Sequence, residues 1–316
     1  MNIKLNPKFI TGFADAESNF YIRISKKSNM KTGWTVEPVF SIRLHNKDFK
    51  LLNLIQSYFG VGKVNLLPDE EATFRISSLK ELNVIISHFD KYPLKTQKYY
   101  DFILFKQVID LMKDKEHLTL DGIIKIASIK ASMNTKKEVL DIPNVISVPI
   151  PSRKDSIVLD SEWVSGFTDP HISLRSIYGG PEAGDGCFSV SIIKSKALLG
   201  ETSWIRFILT QHNRDLVLMN SISTAFFEGA GKINSTSKGT NFTIQKLSDI
   251  IEKVLPLFDN YPLIGNKAKD FEDFKRVAIL MSKKAHLTKQ GLEEEVKKWN
   301  EYTKKIILHL HNIISQ

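Results

Sequence analysis

Two hydrophobic patterns alternate along the chain. Apolar residues at every second position predict strands that are buried on one face. Such stretches begin at Phe20, Phe40 and Phe74, and again at Phe188, Ile205 and Phe242. Apolar residues with helical spacing instead occupy the segments LLNLIQSYF, LKELNVIISHF and DFILFKQVIDLM. Because helices and half-exposed strands interleave, we predict a mixed α/β (α+β) fold with two pseudo-symmetric sheets.

The pattern also repeats. The segment FDKYPLKTQKYYDFILFK, which starts at Phe89, reappears as FDNYPLIGNKAKDFEDFK, which starts at Phe258, a shift of 169 residues. Earlier in each half, HNKD matches HNRD and GKVN matches GKIN at nearly the same shift. Chance does not readily produce so many matches in one order, so we interpret the chain as a tandem duplication with diverged halves.

A proline-containing segment lies between the halves. It reads TKKEVLDIPNVISVPIPSRKDS, and each proline fixes the backbone and removes a hydrogen-bond donor. We therefore predict an extended linker here. The predicted division is an N-terminal repeat over residues 1–134, a linker over 135–160 and a C-terminal repeat over 161–316.

Charge narrows the class of partner. The chain has 44 Lys and Arg against 35 Asp and Glu, a net charge of +9, which favours a polyanion. No apolar run approaches the roughly 18 residues that a membrane span needs, and MNIKLNPKF lacks the apolar core of a signal peptide. We therefore expect a nucleic acid and no membrane. With a single cysteine, Cys187, and no zinc-finger spacing, any metal must be held mainly by oxygen ligands.

A short motif near the start of each half carries the candidate chemistry. In the first half it reads ITGFADAES, a predicted glycine-containing helix that ends at the acidic residue Glu17 and runs directly into the strand NFYIRI. The glycines of the two copies, Gly12 and Gly166, would let two such helices pack backbone to backbone. Their carboxylates would then lie close together, where a divalent cation would relieve both their mutual repulsion and the unfavourable helix dipole.

The second copy of the motif is interrupted. VSGFTD, from Val164 to Asp169, matches the helix, but Pro170 follows it. From Gly12 to Gly166 the shift is 154 residues, and from Phe20 to Phe188 it is 168, so 14 residues are inserted. Restoring the register places Asp185 opposite Glu17, with Glu182 as the alternative.

These features resemble the LAGLIDADG homing endonuclease family, in its single-chain, two-repeat, intron-encoded form. The resemblance rests on the nonapeptide ending in Glu17, on FDKYPL with Lys98 downstream, and on IKASMN, and it spans essentially the whole chain in duplicate. It implies that each repeat is a curved antiparallel sheet backed by helices, with the two motif helices packed at the centre. It also implies a DNA-cleaving centre that uses Mg²⁺.

The resemblance assigns roles to individual residues. The metal ligands would be the carboxylates of Glu17 and Asp185, with the adjoining Ala16 and Gly184. Lys98 and Lys267 would either act beside the metal, stabilising phosphate charge or orienting water, or be solvated helix lysines that contact the DNA backbone. Asp15 and Asp169, at the sixth motif position, are expected to cap or brace the helix. His117 and His286 are interpreted as caps or packing residues.

The alternation also defines an outer sheet face. Side chains of this kind suit base edges in the major groove, although an ordinary solvated sheet would look broadly similar. The predicted set is Tyr21, Arg23, Ser25, Ser41, Arg43, Thr73, Arg75, Ser189, Ser191, Arg206, Thr210, Thr243 and Gln245. Lysines near strand ends, above all Lys63 and Lys232, would reach phosphates; Lys26, Lys27, Lys31 and Lys238 are of the same kind.

The expected function is therefore hydrolysis of phosphodiester bonds in a long, asymmetric double-stranded DNA target by a monomer with two unlike halves. An RNA-splicing maturase, with host intron RNA as its partner, and a non-cleaving DNA-binding protein are the alternatives on the same fold. The interrupted second motif also leaves open an enzyme that nicks one strand. The resemblance further implies an intron-encoded, organellar and specifically mitochondrial protein.

Overall fold

The protein forms two compact units, Met1–Phe167 and Thr168–Gln316. The structure, a computed structural model, describes residues 4–68, 70–133, 142–153, 157–170, 188–194, 201–237 and 239–283. The predicted limits of the repeats and linker stay predictions. Within the described residues, none of the helices has both the length and the apolar character needed to cross a bilayer.

In its described residues, the first unit joins six helices to one antiparallel sheet. The strands are β1 (Ser18–Lys26), β2 (Trp34–His45), β3 (Lys63–Leu67) and β4 (Glu71–Ile76), in the order β1-β2-β4-β3. The helices are α1 (Pro7–Glu17), α2 (Phe49–Phe59), α3 (Leu79–Lys91), α4 (Lys98–Lys113), α5 (Leu120–Ser132) and α6 (Ser161–Thr168), whose last residue falls in the second unit.

The second unit has the same sheet order. Its strands are β5 (Phe188–Lys194), β6 (Glu201–Gln211), β7 (Lys232–Thr236) and β8 (Gly239–Ile244), in the order β5-β6-β8-β7. Its helices are α7 (Leu216–Phe227), α8 (Leu247–Asp249), α9 (Leu255–Asn260) and α10 (Lys267–Ser282), with a π-helical turn, Ile250–Val254, joining α8 to α9. The predicted α+β fold with two pseudo-symmetric antiparallel sheets is confirmed.

The inner face of each sheet is packed with phenylalanine rings in equivalent positions. Phe20 lies 5.0–5.7 Å, centroid to centroid, from Phe40, Phe89, Phe102 and Phe105. Phe188 lies 5.2–5.5 Å from Phe207, Phe258, Phe271 and Phe274. Since tilted and edge-on ring pairs stabilise a core beyond the area they bury, the duplication has preserved a packing unit as well as a sequence pattern.

Helices α1 and α6 touch through their glycines. Asn6 caps α1, since its Oδ1 accepts a hydrogen bond from the Lys8 amide (2.8 Å). A Cβ atom on Gly12 would lie 2.0 Å from the carbonyl oxygen of Trp163, and one on Gly166 would lie 2.0 Å from that of Phe9. The predicted backbone-to-backbone packing is confirmed. It also explains why most of α6, expected with the C-terminal repeat, belongs to the first compact unit.

Because of this contact, we expect a Gly to Ala substitution in α1 to destabilise the protein, which is the opposite of its usual effect in a helix. Gly to Ala inside a helix normally stabilises by about 1 kcal/mol, but at Gly12 the new methyl group meets backbone, which cannot rotate away. We expect Gly12→Ala to lower the free energy of unfolding by about 3 kcal/mol in urea titrations. Ala131→Gly, at an exposed position of α5, should cost only about 1 kcal/mol. A Gly12→Ala protein more stable than the wild type would contradict the packing.

Of the two repeated histidines, the structure describes His117. The cap of α5 is Thr119, whose Oγ1 accepts a hydrogen bond from the Gly122 amide (3.1 Å). His117 lies just before it, in a 3₁₀ turn, with a half-buried side chain whose pKa is lowered by burial. Thr119 rather than His117 therefore caps α5, and the packing role of His117 stays a prediction; His286 lies outside the described residues.

A third histidine makes the first unit sensitive to acid. His88 is buried, with Nε2 3.2 Å from Thr11 Oγ1 and Nδ1 3.1 Å from the Tyr58 hydroxyl, and burial lowers its pKa to about 4. Below about pH 6.5 the imidazole is protonated in the unfolded chain but stays neutral in the folded protein. The free energy of unfolding should therefore fall from about pH 6.5 towards pH 4. In urea titrations, the wild type should lose about 2 kcal/mol more than His88→Gln between pH 7 and pH 5. Equal losses would contradict this.

Candidate active site and outer sheet faces

Glu17 ends helix α1 at the point where the chain turns into β1. The turn is fixed by Ser18, whose hydroxyl (2.6 Å) and backbone amide both donate to the Ala14 carbonyl. The Glu17 side chain is half-buried, and burial raises the pKa of its carboxyl to about 7, while the nearby Lys98 lowers it. Among the described residues its carboxylate receives no hydrogen bond. Among the described residues, Lys98 is therefore the group that offsets the cost of its negative charge.

Lys98 is the residue that the fold brings to Glu17. It is the first residue of α4, and its Nζ donates to the Ala14 carbonyl (2.9 Å), one turn before Glu17. The structure thus brings together an acidic side chain and an ammonium group from segments about 80 residues apart in the chain. Whether Lys98 acts on a substrate stays a prediction.

Asp15 holds this arrangement together. It is fully buried and accepts four hydrogen bonds, from the Lys95 amide (2.7 Å), the Thr96 amide (3.0 Å), Thr96 Oγ1 (2.7 Å) and Trp163 Nε1 (2.8 Å). Burial raises its pKa, and these hydrogen bonds counteract the shift. Asp15 therefore ties the motif helix both to α6 and to the loop that leads into Lys98, as expected for a bracing residue.

The second unit repeats this brace. Asp169 accepts hydrogen bonds from the backbone amides of Ile264 (2.6 Å) and Gly265 (3.0 Å), in the loop before α10. Lys267 is the first residue of α10 and is buried. Asp185, Gly184 and the alternative Glu182 lie outside the described residues, so their roles stay predictions.

The residues around Glu17 suit a divalent cation. A partly desolvated carboxylate at the C-terminal end of a helix is held against both burial and the helix dipole, and a bound cation would offset both costs. The preceding residue, Ala16, adds a carbonyl at a helix end, where such groups lack a partner within the helix. The described residues contain no group of three or more His, Cys, Asp or Glu that could hold a metal. Of the predicted carboxylate ligands, only Glu17 lies in the described residues. Carboxylate and carbonyl oxygens such as those of Glu17 and Ala16 are the ligands that hard divalent cations such as Mg²⁺ prefer.

The outer face of the first sheet matches the predicted alternation. Arg23, Ser25 and Arg43 are exposed, and Tyr21, Ser41, Thr73 and Arg75 are half-buried. Lys63 is exposed at the start of β3, where it pairs with Arg75 across the strands. The remaining predicted lysines of this sheet, Lys26, Lys27 and Lys31, are exposed beside the β1–β2 turn.

The predicted outer-face residues of the second sheet include fewer charged side chains than those of the first. Ser189, Arg206, Thr210 and Thr243 are half-buried on its outer face, and Ser191 lies in β5. Thr210 Oγ1 donates to Asn241 Oδ1 (2.8 Å). Lys232 is exposed at the start of β7, and Gln245 is exposed just after β8 ends. Lys238 lies outside the described residues.

Sequence reasoning missed the acidic residues of the first sheet. Glu37 contacts both Arg23 and Arg75, Glu71 pairs with Arg43, and Glu70 pairs with His45. Strand β2 begins at Trp34, six residues before the predicted start at Phe40, and Glu37 lies in that added part. The segment TVEPV pairs with β1 in the structure, and its first residues alternate polar and apolar as a strand does. Pro38 obscured this signal, because proline is uncommon inside strands.

Comparison with known proteins agrees with this architecture. The family model described as LAGLIDADG endonuclease matches residues 10–109 and 182–278, one stretch in each half. A protein of Neurospora crassa named "Probable intron-encoded endonuclease 2" is 35% identical over 308 residues, which cover 92% of this chain and 63% of the relative. A second Neurospora relative, "Probable intron-encoded endonuclease 3", is 33% identical, and the match covers 53% of its length. The chain thus spans somewhat more than half of these relatives.

Solved structures match over nearly the whole chain. The LAGLIDADG homing endonuclease I-SmaMI bound to cleaved DNA is 35% identical, with 98% of this chain and 96% of that chain covered and a TM-score of 0.83. I-SmaMI bound to an uncleaved DNA target in the presence of calcium ions is 34% identical, with 99% and 100% covered and the same TM-score. With both halves matched by the family model, the chain belongs to the LAGLIDADG endonuclease family.

Proposed function

We propose that this protein is a site-specific DNA endonuclease of the homing type, which hydrolyses phosphodiester bonds in a long, asymmetric double-stranded target. One observation carries the proposal above the others. A half-buried carboxylate with a pKa raised to about 7 ends a motif helix beside a lysine, in a fold whose solved relative I-SmaMI was captured on cleaved DNA. A partly buried acid of this kind is typical of a catalytic metal ligand, and a metal-dependent nuclease requires such a carboxylate.

We propose that Glu17 and Asp185 hold Mg²⁺, assisted by the backbone at Ala16 and Gly184. When bound, the metal would activate water and stabilise the attacking and leaving oxygens. The calcium-containing complex of I-SmaMI supports a divalent cation in the family. Lys98, held by the Ala14 carbonyl, supplies positive charge where phosphate charge develops, and Lys267 would do the same in the second half.

The two outer sheet faces would read the target. Each carries polar side chains suited to base edges in the major groove, flanked by Lys63 or Lys232 for phosphates. Because the first face carries Arg23, Arg43 and Arg75, whereas the described outer-face residues of the second are mostly uncharged, the two halves of the target should differ in sequence. A monomer suffices for this, since one chain contains both sheets.

We propose an organellar, mitochondrial origin within an intron. The named relatives support it: besides the Neurospora proteins, a Podospora anserina relative named as a protein in ND4 intron 1 is 48% identical over 117 residues.

The function is tested by selection from a DNA library. Purified protein is incubated with a randomised duplex library with Mg²⁺ or with EDTA, and the new ends are sequenced. We expect one asymmetric site to be cut, and only with Mg²⁺. Binding to that site should weaken steeply between roughly 50 and 200 mM salt, as it does for proteins that neutralise several phosphates. Selective binding without any cleavage would instead favour the non-cleaving protein. Preference for structured intron RNA over every duplex would favour the maturase.

A further inference from the structure

One carboxylate contacts two arginine side chains on the outer face of the first sheet. Glu37, on β2, accepts a 2.7 Å hydrogen bond at Oε1 from Arg75 Nη2 on β4, and its Oε2 lies 3.4 Å from Arg23 Nη1 on β1. Arg75 Nη1 also lies 3.4 Å from the Tyr21 hydroxyl, to which it donates. Two guanidinium groups on different strands are therefore held by one acid.

The strand register shows that Arg75 reaches along the sheet to make this contact. Glu37 stands opposite Arg23, but Arg75 stands opposite Ser41, two outward-facing positions further along β2. The intervening outward position is Val39, which is fully buried although the alternation assigns it to the outer face. The Arg75 side chain thus lies flat on the sheet, with Glu37 fixing its far end.

Neither folding nor DNA affinity accounts for this acid. The side chains of Glu37, Arg75 and Arg23 are 36%, 32% and 53% exposed, and ion pairs this open to solvent stabilise a fold little. A carboxylate on a face that lies against DNA also weakens binding to any polyanion, because it repels the phosphate charges. Fixed guanidinium groups do help selectivity, because an arginine must present both donors in one plane to read O6 and N7 of guanine.

We propose that Glu37 is a positioning residue for sequence recognition: it orients Arg23 and Arg75 so that they read guanine edges in the half of the target that faces the first sheet. The proposal rests on the DNA-directed function proposed above. It assigns to Glu37 the selectivity of binding, at the expense of some overall affinity.

The second sheet offers an internal control, because the residue types at its equivalent positions cannot form this network. Ser191 and Trp204 form the cross-strand pair equivalent to Arg23 and Glu37. Thr243 takes the place of Arg75, opposite Lys232 as Arg75 is opposite Lys63. A change at Glu37 should therefore alter base preference in one half of the target and leave the other half unchanged.

The test compares wild type with Glu37→Gln, which keeps the shape and removes the charge. Binding sites are selected from a randomised duplex library, and affinities for the selected target and for random duplex are measured at fixed salt. We expect Glu37→Gln to bind random duplex about two- to fivefold more tightly, since a negative charge is gone. We also expect its preference for target over random duplex to fall at least about tenfold, with relaxed guanine positions in one half-site only.

Matched variants separate positioning from charge and from folding. Glu272→Gln, which removes an exposed charge from α10, should leave the base profile unchanged. Arg75→Lys, which keeps the charge but loses the planar fork, should relax guanine positions in the same half-site. Urea midpoints should match the wild type, given the exposure of the network. An unchanged base profile in Glu37→Gln would overturn this inference alone, whereas a wild type without base preference would overturn the proposed function as well.

Discussion

Glu17→Gln should abolish DNA cleavage, with a loss of about 1,000-fold or more, while target binding changes by no more than a few-fold. The amide has the size of the acid but cannot carry the charge that would hold the metal. The measurement is single-turnover cleavage of the selected target at saturating Mg²⁺, beside a binding titration in Ca²⁺. Glu272→Gln serves as the control for loss of one acidic charge and should cleave like the wild type. Wild-type cleavage by Glu17→Gln would remove Glu17 from the active site.

The same substitution should stabilise the metal-free protein, and mainly at high pH. In the folded state the pKa of Glu17 is raised from 4.5 to about 7, so the folded protein holds a proton that the unfolded chain releases. Stability is thus lost as pH rises from about 4.5 through 7, and glutamine escapes that loss. We expect Glu17→Gln to exceed the wild type by about 1–3 kcal/mol at pH 8 and by much less at pH 5 in urea titrations with EDTA. Equal gains at both pH values would point to packing instead of charge.

Asp15→Ala should be among the most destabilising single changes in the first unit, lowering the free energy of unfolding by about 3–5 kcal/mol. The side chain is 2% exposed and accepts four hydrogen bonds. Its removal leaves buried donors in Lys95, Thr96 and Trp163 without an acceptor. The loop before α4 would also lose its anchor, so Lys98 should no longer be held beside Glu17, and cleavage should fall even where the variant remains folded.

An exposed acid provides the matched control for Asp15. Asp90 forms an ion pair with Lys106 (2.6 Å), and both side chains are more than one third exposed. Asp90→Ala should therefore cost less than about 1 kcal/mol. If Asp15→Ala cost as little as Asp90→Ala, the four hydrogen bonds would not be the brace that we describe.

The fold could be predicted from sequence because its signals are local or repeated. Alternation marks a strand when one face is buried, and the phenylalanines of β1, β2 and β4 obey it. Gly12 and Gly166 signalled a close helix contact since no other residue removes the Cβ atom. The start of β2 was missed because its first half contains Pro38, which is uncommon inside a strand, although the residues before it alternate apolar and polar.

The site was less predictable, because its parts come from distant segments. Glu17 and Lys98 could be selected from the motif and the repeat, but nothing in the sequence showed that Lys98 would be tied to the Ala14 carbonyl. Two of the four donors to Asp15 are backbone amides about 80 residues away, and backbone amides have no sequence signature. The Glu37 network likewise depends on strand register and on the reach of one arginine, and neither can be read from residue types alone.

The claim that each half supplies one carboxylate is tested most directly at Asp185. A supercoiled plasmid carrying the selected target is incubated with wild type, Asp185→Asn or Glu182→Gln in Mg²⁺, and the supercoiled, nicked and linear forms are followed over time. We predict linear product from the wild type and from Glu182→Gln, and none from Asp185→Asn. Linear product from Asp185→Asn at the wild-type rate would contradict the assignment of the second carboxylate.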